Sequence, residues 1–184
     1  MRKAEKDKNL SVCDIRLIIK KGGSEMKKTL VAYFSCTGNT KRVAKALAEA
    51  INADLFEITP QTRYTNADLD WTNEKSRCNL EMKDPSFRPS IKEKAENMES
   101  YKTVFIGFPI WWYVAPNIIK TFLESYDFTG KTIVPFATSG GSGMGRTVEE
   151  LQKSCFSSVK WDKGKIWNGN PTEEALASWA KDFI

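Results

Sequence analysis

The chain has 184 residues, 41% hydrophobic and 28% charged, with a formal net charge of +5; that is the size and balance of one globular domain with its own core. There is no histidine, which excludes imidazole general bases, Ser-His-Asp catalysis and most catalytic zinc sites, and no metal site is expected. No apolar run is long enough to span a bilayer, and no basic face points to nucleic acid.

Much of the surplus charge sits at the start. The first 25 residues hold seven basic and four acidic side chains, and the rest holds 21 against 19. This stretch is a charge cluster followed by 10–21 and then Lys20-Lys21-Gly22-Gly23. Lys-Lys-Gly-Gly is how a purine-rich bacterial ribosome-binding site reads when translated. The expectation is therefore a fold that begins at Met26, with 1–25 an extension outside it, checkable by mass spectrometry of the native protein.

From Met26 on, strands and helices alternate. Residues 29–34 are a continuous apolar run, as in a strand buried on both faces. Residues 35–40 are small and polar. Val43, Ala44, Leu47 and Ala48 then fall at helical spacing, predicting a helix over 40–51. Residues 54–58 alternate like a second strand, stopped by Pro60. Residues 61–89 lack periodicity and are long for a loop, so they are either functional or partly helical. A helix is predicted over 91–98, a third buried strand over 103–108, and a helix over 116–125 with Pro116 in its first turn. A fourth strand over 132–138, a helix over 146–155, a weak fifth strand over 159–167 and a last helix over 172–183 complete the reading. Cys13, Cys36, Cys78 and Cys155 form no C-x-x-C pair, which suggests reduced thiols and a cytoplasmic location.

A βαβ rhythm with buried strands predicts a parallel sheet covered by helices on both faces. Ligands of such sheets sit beyond the carboxyl ends of the strands. Three unusual loops follow strands one, three and four, and so converge on one edge. The first is Ser35-Cys36-Thr37-Gly38-Asn39-Thr40, a donor-rich turn into a helix that suits a phosphate dianion. Its hydroxyls on Ser35, Thr37 and Thr40 add donors. The plainer alternative is an ordinary turn in which Ser35 or Thr37 caps the helix. The second is Pro109-Ile110-Trp111-Trp112-Tyr113, whose tryptophans suit stacking on a flat ring or, alternatively, fill a core. The third is Thr138-Ser139-Gly140-Gly141-Ser142-Gly143, either a source of backbone N–H donors or simply a flexible glycine loop.

The first loop resembles the flavin-phosphate loop of flavodoxins: Thr or Ser, any residue, Thr, Gly, any residue, Thr. Arg77 with Glu81, Asp84 and Arg88-Pro89, then Gly107-x-Pro109-Ile110-Trp111-Trp112 and Phe136-x-Thr138-Ser139-Gly140-Gly141-Ser142-Gly143, are similar to bacterial flavodoxins with a long insert after strand two. The resemblance implies an α/β flavodoxin-like three-layer sandwich over 26–184, with a five-stranded parallel sheet in the order 2-1-3-4-5. It also implies non-covalent FMN, with its phosphate in the first loop, its ring on Trp111 and Trp112, and its pyrimidine edge at the third loop. Tyr64, Trp71 and Tyr113 are further aromatics suited to covering the ring. No residue is then catalytic, because the flavin carries the chemistry.

Two functional classes follow. One is low-potential electron transport to redox partner proteins. The other is an FMN-dependent NAD(P)H:quinone-type oxidoreductase acting on a small electron acceptor. The near-neutral charge after Met26 departs from the acidic surface of typical flavodoxins. The loop after strand three has no glycine beyond Gly107, so a peptide flip there is costly, which favours two-electron behaviour. A remote alternative uses the same first loop. Cys36 and Arg42 form C-x5-R, similar to low-molecular-weight phosphotyrosine phosphatases, with Asp84-Pro85 resembling their acid. Val43 stands where that family has Ser or Thr, and Asp84 lies far from the C-terminus.

Overall fold

A computed structural model describes residues 28–155 and 158–184; the proposed extension and the start at Met26 lie outside these residues. In chain order the elements are β1 (Lys28–Tyr33), α1 (Asn39–Ala50), β2 (Asp54–Glu57), α2 (Arg77–Lys83), β3 (Tyr101–Pro109), α3 (Asn117–Glu124), β4 (Thr132–Thr138), α4 (Thr147–Gln152), β5 (Lys160–Trp161), β6 (Lys165–Ile166) and α5 (Glu173–Ala180). Short 3-10 turns at Met98–Ser100 and Lys181–Phe183 lead into β3 and follow α5.

Every strand pairing is parallel, and the order is β2-β1-β3-β4-β5, with β6 also on β4. This is the predicted flavodoxin-like sandwich. Successive side chains of a strand point to opposite faces, so β1 feeds two cores. Leu30, Ala32 and Phe34 join Val104, Ile106 and α3 residues Ile118, Ile119 and Phe122 on one face. Val31 and Tyr33 join α1 residues Val43, Ala44 and Leu47, Phe105 of β3, and Leu176 and Ala180 of α5 on the other. Strands covered on both sides need apolar residues at every position, which is why they read as unbroken runs. The last helix is capped as its sequence suggests: Thr172 Oγ1 accepts from Ala175 N at 3.3 Å, with Glu173 and Glu174 in the first turn.

Three expectations are corrected. The predicted helix over 91–98 does not form. The chain instead runs back beside the segment that follows β2: Ile91 bridges Pro60 antiparallel, Lys92 N donates to Thr59 O at 2.8 Å, and Gln61 N donates to Ser90 O at 2.8 Å. These backbone groups are taken by the ladder, and Asn97 in a left-handed conformation closes the segment. The fifth strand is split in two, because Gly164, at φ +74°, folds back so that its N–H donates to Asp162 Oδ1 at 2.8 Å. Pro116 stands at the N-cap of α3 rather than within its first turn. The insert after β2 is partly helical, through α2.

Candidate functional site

The loops after β1, β3 and β4 meet at the carboxyl edge of the sheet, where open parallel sheets bind ligands. Between them lie two adjoining cavities that share Thr37, Pro109, Ile110, Trp111 and Gly140. The larger, about 560 Å³, is also lined by Ser35, Cys36, Thr40, Trp112, Tyr113 and Ser142, together with Leu69, Trp71 and Cys78 of the insert. None of these side chains is charged. The smaller, about 330 Å³, adds Asn39, Arg42, Thr138, Ser139, Asn168 and Gly169. Gly38, Gly141 and Gly143 line neither cavity.

The first loop turns at Gly38, whose φ of +86° is costly for any residue with a Cβ. The Gly38 N–H donates to Ser35 Oγ at 3.1 Å. Among the described residues, no protein acceptor faces the N–H groups of Cys36, Thr37, Asn39 and Thr40. Unpaired donors at the start of a twelve-residue helix attract an anion. Asn39 is held on both sides, donating through Nδ2 to Thr37 Oγ1 at 3.4 Å and accepting from Arg42 Nη2 at 3.1 Å. Thr40 behaves differently from the expectation of a free donor. It is 1% exposed, and its hydroxyl shares a 2.8 Å hydrogen bond with that of Thr138, tying α1 to the end of β4.

The second loop is a two-residue hairpin. Trp111 N donates to Val114 O at 2.9 Å and Val114 N to Trp111 O at 3.0 Å. Its central residues, Trp112 and Tyr113, have φ of +46° and +67°, the pattern of a type I′ turn that Asn-Gly normally fills. The unfavourable φ that was expected to make a peptide flip costly without glycine is thus already present at Trp112 and Tyr113. Trp111 packs edge-on against Phe34 and Tyr64, at 5.7 and 5.6 Å between ring centroids. Trp112 is 42% and Tyr113 74% exposed.

The third loop folds over its own serine. Ser139 Oγ accepts from Gly141 N at 3.1 Å and from Ser142 N at 2.7 Å, while Ser139 N donates to Asn168 Oδ1 at 2.8 Å. Gly140 lines both cavities, and its N–H has no acceptor among the described residues. Asn168 and Gly169 follow β6 at the same sheet edge. Their Asn-Gly pair after a strand is the turn signal that marks them. Arg42, Leu69 and Cys78 also line the cavities and carry no such motif as flavin contacts.

The electrostatics speak against a phosphatase centre. Burial pushes the Cys36 thiol up to about 12, with Arg77 opposing it, whereas an attacking thiolate needs a lowered value. Hydrogen bonds from Ser86 hold Asp84 below the usual carboxylate range, the reverse of what a general acid needs. Asp84 lies in neither lining. Among the described residues, no helix is long and apolar enough to cross a membrane.

The family model for flavodoxin matches residues 28–183. A candidate flavoprotein from Bacteroides eggerthii is 49% identical, with a TM-score of 0.80, covering 85% of this chain and 97% of that one. A second, from Bacteroides uniformis, is also 49% identical, with a TM-score of 0.78 and coverage of 84% and 97%. A Lactobacillus acidophilus flavoprotein solved in complex with FMN shares the fold at 22% identity, with a TM-score of 0.62 and coverage of 85% and 98%. No curated protein matches. The match spans β1 to the turn after α5, and with it the chain belongs to the flavodoxin family.

Proposed function

We propose that this chain binds FMN non-covalently at the paired cavities and works as an electron-transfer flavoprotein. The observation that carries the reading is the row of unpaired N–H donors on Cys36, Thr37, Asn39 and Thr40, beside an uncharged cavity walled by Trp111 and Trp112. The residues fit such a group. The donors match a phosphate dianion, and Arg42 at the smaller cavity adds positive charge. The flat aromatic wall and the Gly140 N–H suit a ring with one polar edge. Bound there, the flavin supplies the electron-accepting and electron-donating ring. The protein's own groups fix the phosphate, orient the ring and limit its contact with water. Three free thiols among the described residues, Cys36, Cys78 and Cys155, support a reducing compartment and so the cytoplasm.

One observation favours the second reading, an FMN-dependent NAD(P)H:quinone-type reductase. Leu69, Trp71 and Cys78 bring the insert into the cavity wall, so the site is bounded by the insert as well as by the three loops, which suits a small acceptor. The test has two steps. Fluorescence titration compares FMN with riboflavin, which lacks the phosphate. FMN is expected to bind at least about a hundredfold more tightly, from two charge-assisted hydrogen bonds, and equal affinity ends the flavin-phosphate reading. NADH or NADPH is then mixed with the FMN-loaded protein in a stopped-flow cell. Bleaching within seconds selects the reductase, and no bleaching selects the carrier.

A further inference from the structure

We infer that Arg77 and Glu81, an ion pair on the insert, position Trp111 for the flavin through Tyr64. The inference deepens the flavin reading, because it names residues outside both cavities that set the geometry of the cavity wall.

Glu81 is 4% exposed, and a carboxylate so buried persists only if its oxygens are answered. Both are. Arg77 Nε donates to Oε1 at 2.6 Å, one helical turn away on α2, and the Tyr64 hydroxyl donates to Oε2. Arg77 is itself held, since Nη1 donates to Thr62 O at 2.7 Å and Cζ lies 4.0 Å from the centroid of the Tyr64 ring. The tyrosine is therefore fixed at its tip by Glu81 and on its face by Arg77. The same ring then meets the site edge-on: Phe34 at 5.8 Å with 63° between the planes, and Trp111 at 5.6 Å with 81°. Phe34 and Trp111 also meet edge-on at 5.7 Å. Each ring of this trio touches the other two, and only Tyr64 comes from the insert.

The insert that carries the pair is anchored separately. Asn117 Nδ2 at the start of α3 donates to Glu81 O at 2.6 Å and Asp84 O at 2.9 Å. Asn79 Nδ2 donates to Trp71 O and to Asn73 O, both at 2.9 Å. The insert is therefore a fixed wall rather than a swinging lid. A buried charge pair costs more to assemble than apolar filler of the same shape. Its return here is orientation, since hydrogen bonds and a cation over a ring set the angle of Tyr64, which close packing alone would leave free.

The test uses the full-length protein. Glu81→Gln keeps the side-chain shape and an acceptor for Tyr64, but removes the charge. Tyr64→Phe keeps the ring and removes its tie. Each is compared with wild type by near-ultraviolet circular dichroism without ligand, by FMN titration and by urea unfolding. Both variants should alter the aromatic dichroism and weaken FMN about tenfold, as loss of a hydrogen bond to a charged group implies. In a Trp111→Ala background, Glu81→Gln should change FMN affinity by less than about twofold, because the coupled partner is gone. Unchanged dichroism and affinity, with only the unfolding midpoint lowered, would overturn the proposal and leave the pair structural. If Glu81→Gln does not fold, Tyr64→Phe decides on the same readings. Wild-type protein that ignores FMN, while Tyr64→Phe still alters the dichroism, ends the flavin reading and leaves the positioning standing.

Discussion

The hairpin at Trp112 and Tyr113 makes a prediction whose sign runs against habit. At an ordinary position glycine is less stable than alanine, by about 0.5–1 kcal/mol, because it loses more freedom on folding. Tyr113 has φ +67° and is 74% exposed. Replacing it by glycine or by alanine removes nearly the same side chain, so the difference between the two variants isolates the backbone. A residue with a Cβ pays about 1–2 kcal/mol in the left-handed region, and glycine gives back about 0.4–1 kcal/mol through its unfolded-state freedom. Tyr113→Gly should therefore be the more stable variant by about 1 kcal/mol. The turn cannot relax to escape the strain. Trp111 and Val114 bond on either side of it, and the Tyr113 carbonyl accepts from Thr147 Oγ1 at 3.3 Å. Urea unfolding of both full-length variants without FMN measures the gap. Thermal melts should show the glycine variant about 2–4 °C higher. An alanine variant as stable as the glycine variant, or more so, refutes the argument and means the turn is unstrained.

Gly107→Ala should cost about 3 kcal/mol, since a Cβ there would lie 2.2 Å from Phe136 Cζ in a ring that is fully buried; Phe136→Leu should restore part of the loss, and a change under about 0.5 kcal/mol in denaturant midpoints would show the ring free to move. Glu124, held below its ordinary value chiefly by Arg88, which bonds it at 2.7 and 2.9 Å, joins the insert to α3. A depressed carboxylate stabilises above its unfolded value of 4.5 and loses that stability as pH falls through the folded value. The gap between wild type and Glu124→Gln should accordingly be full at neutral pH, under about 1 kcal/mol because the pair is partly exposed, and should close in acid; a gap independent of pH would exclude this pair as its source. At least one of Trp111→Ala and Trp112→Ala should weaken FMN by about 1 kcal/mol or more and reduce quenching of flavin fluorescence; unchanged affinity and quenching in both would make the tryptophans structural.

The strands were legible for a physical reason. Leu30 through Phe34 and the run through Phe108 are covered on both faces, so every position is apolar and nothing competes with the strand reading. The three loops were legible because unusual residues follow buried strands at the carboxyl edge of the sheet, where open parallel sheets bind ligands. The segment 91–98 was not, because its periodicity is local while its structure is not: the ladder to Thr59 and the Ala95 N–H on the Tyr126 hydroxyl decide it. The split of the last strand likewise depends on a neighbour, since a Cβ at Gly164 would lie 2.6 Å from Met144 Cε and 3.0 Å from Pro135 O.

The same distinction runs through the site. A motif names the residues that come together but not which of their hydrogen-bonding groups remain free. Thr40 and Thr138 both lie in motifs that read as cofactor contacts, yet their hydroxyls bond each other. Ser139 spends its oxygen on the N–H groups of Gly141 and Ser142, and its own N–H goes to Asn168, a residue outside the three loops. Of the third loop's glycine-rich donors, Gly140 is the one left at the cavities. Conversely Tyr64, Arg77 and Glu81 line neither cavity, and the influence proposed for them passes through packing. Donor-rich loops therefore mark where a flavin phosphate and ring can sit. How tightly they are held depends on which donors the fold has already used, and on an ion pair that touches neither.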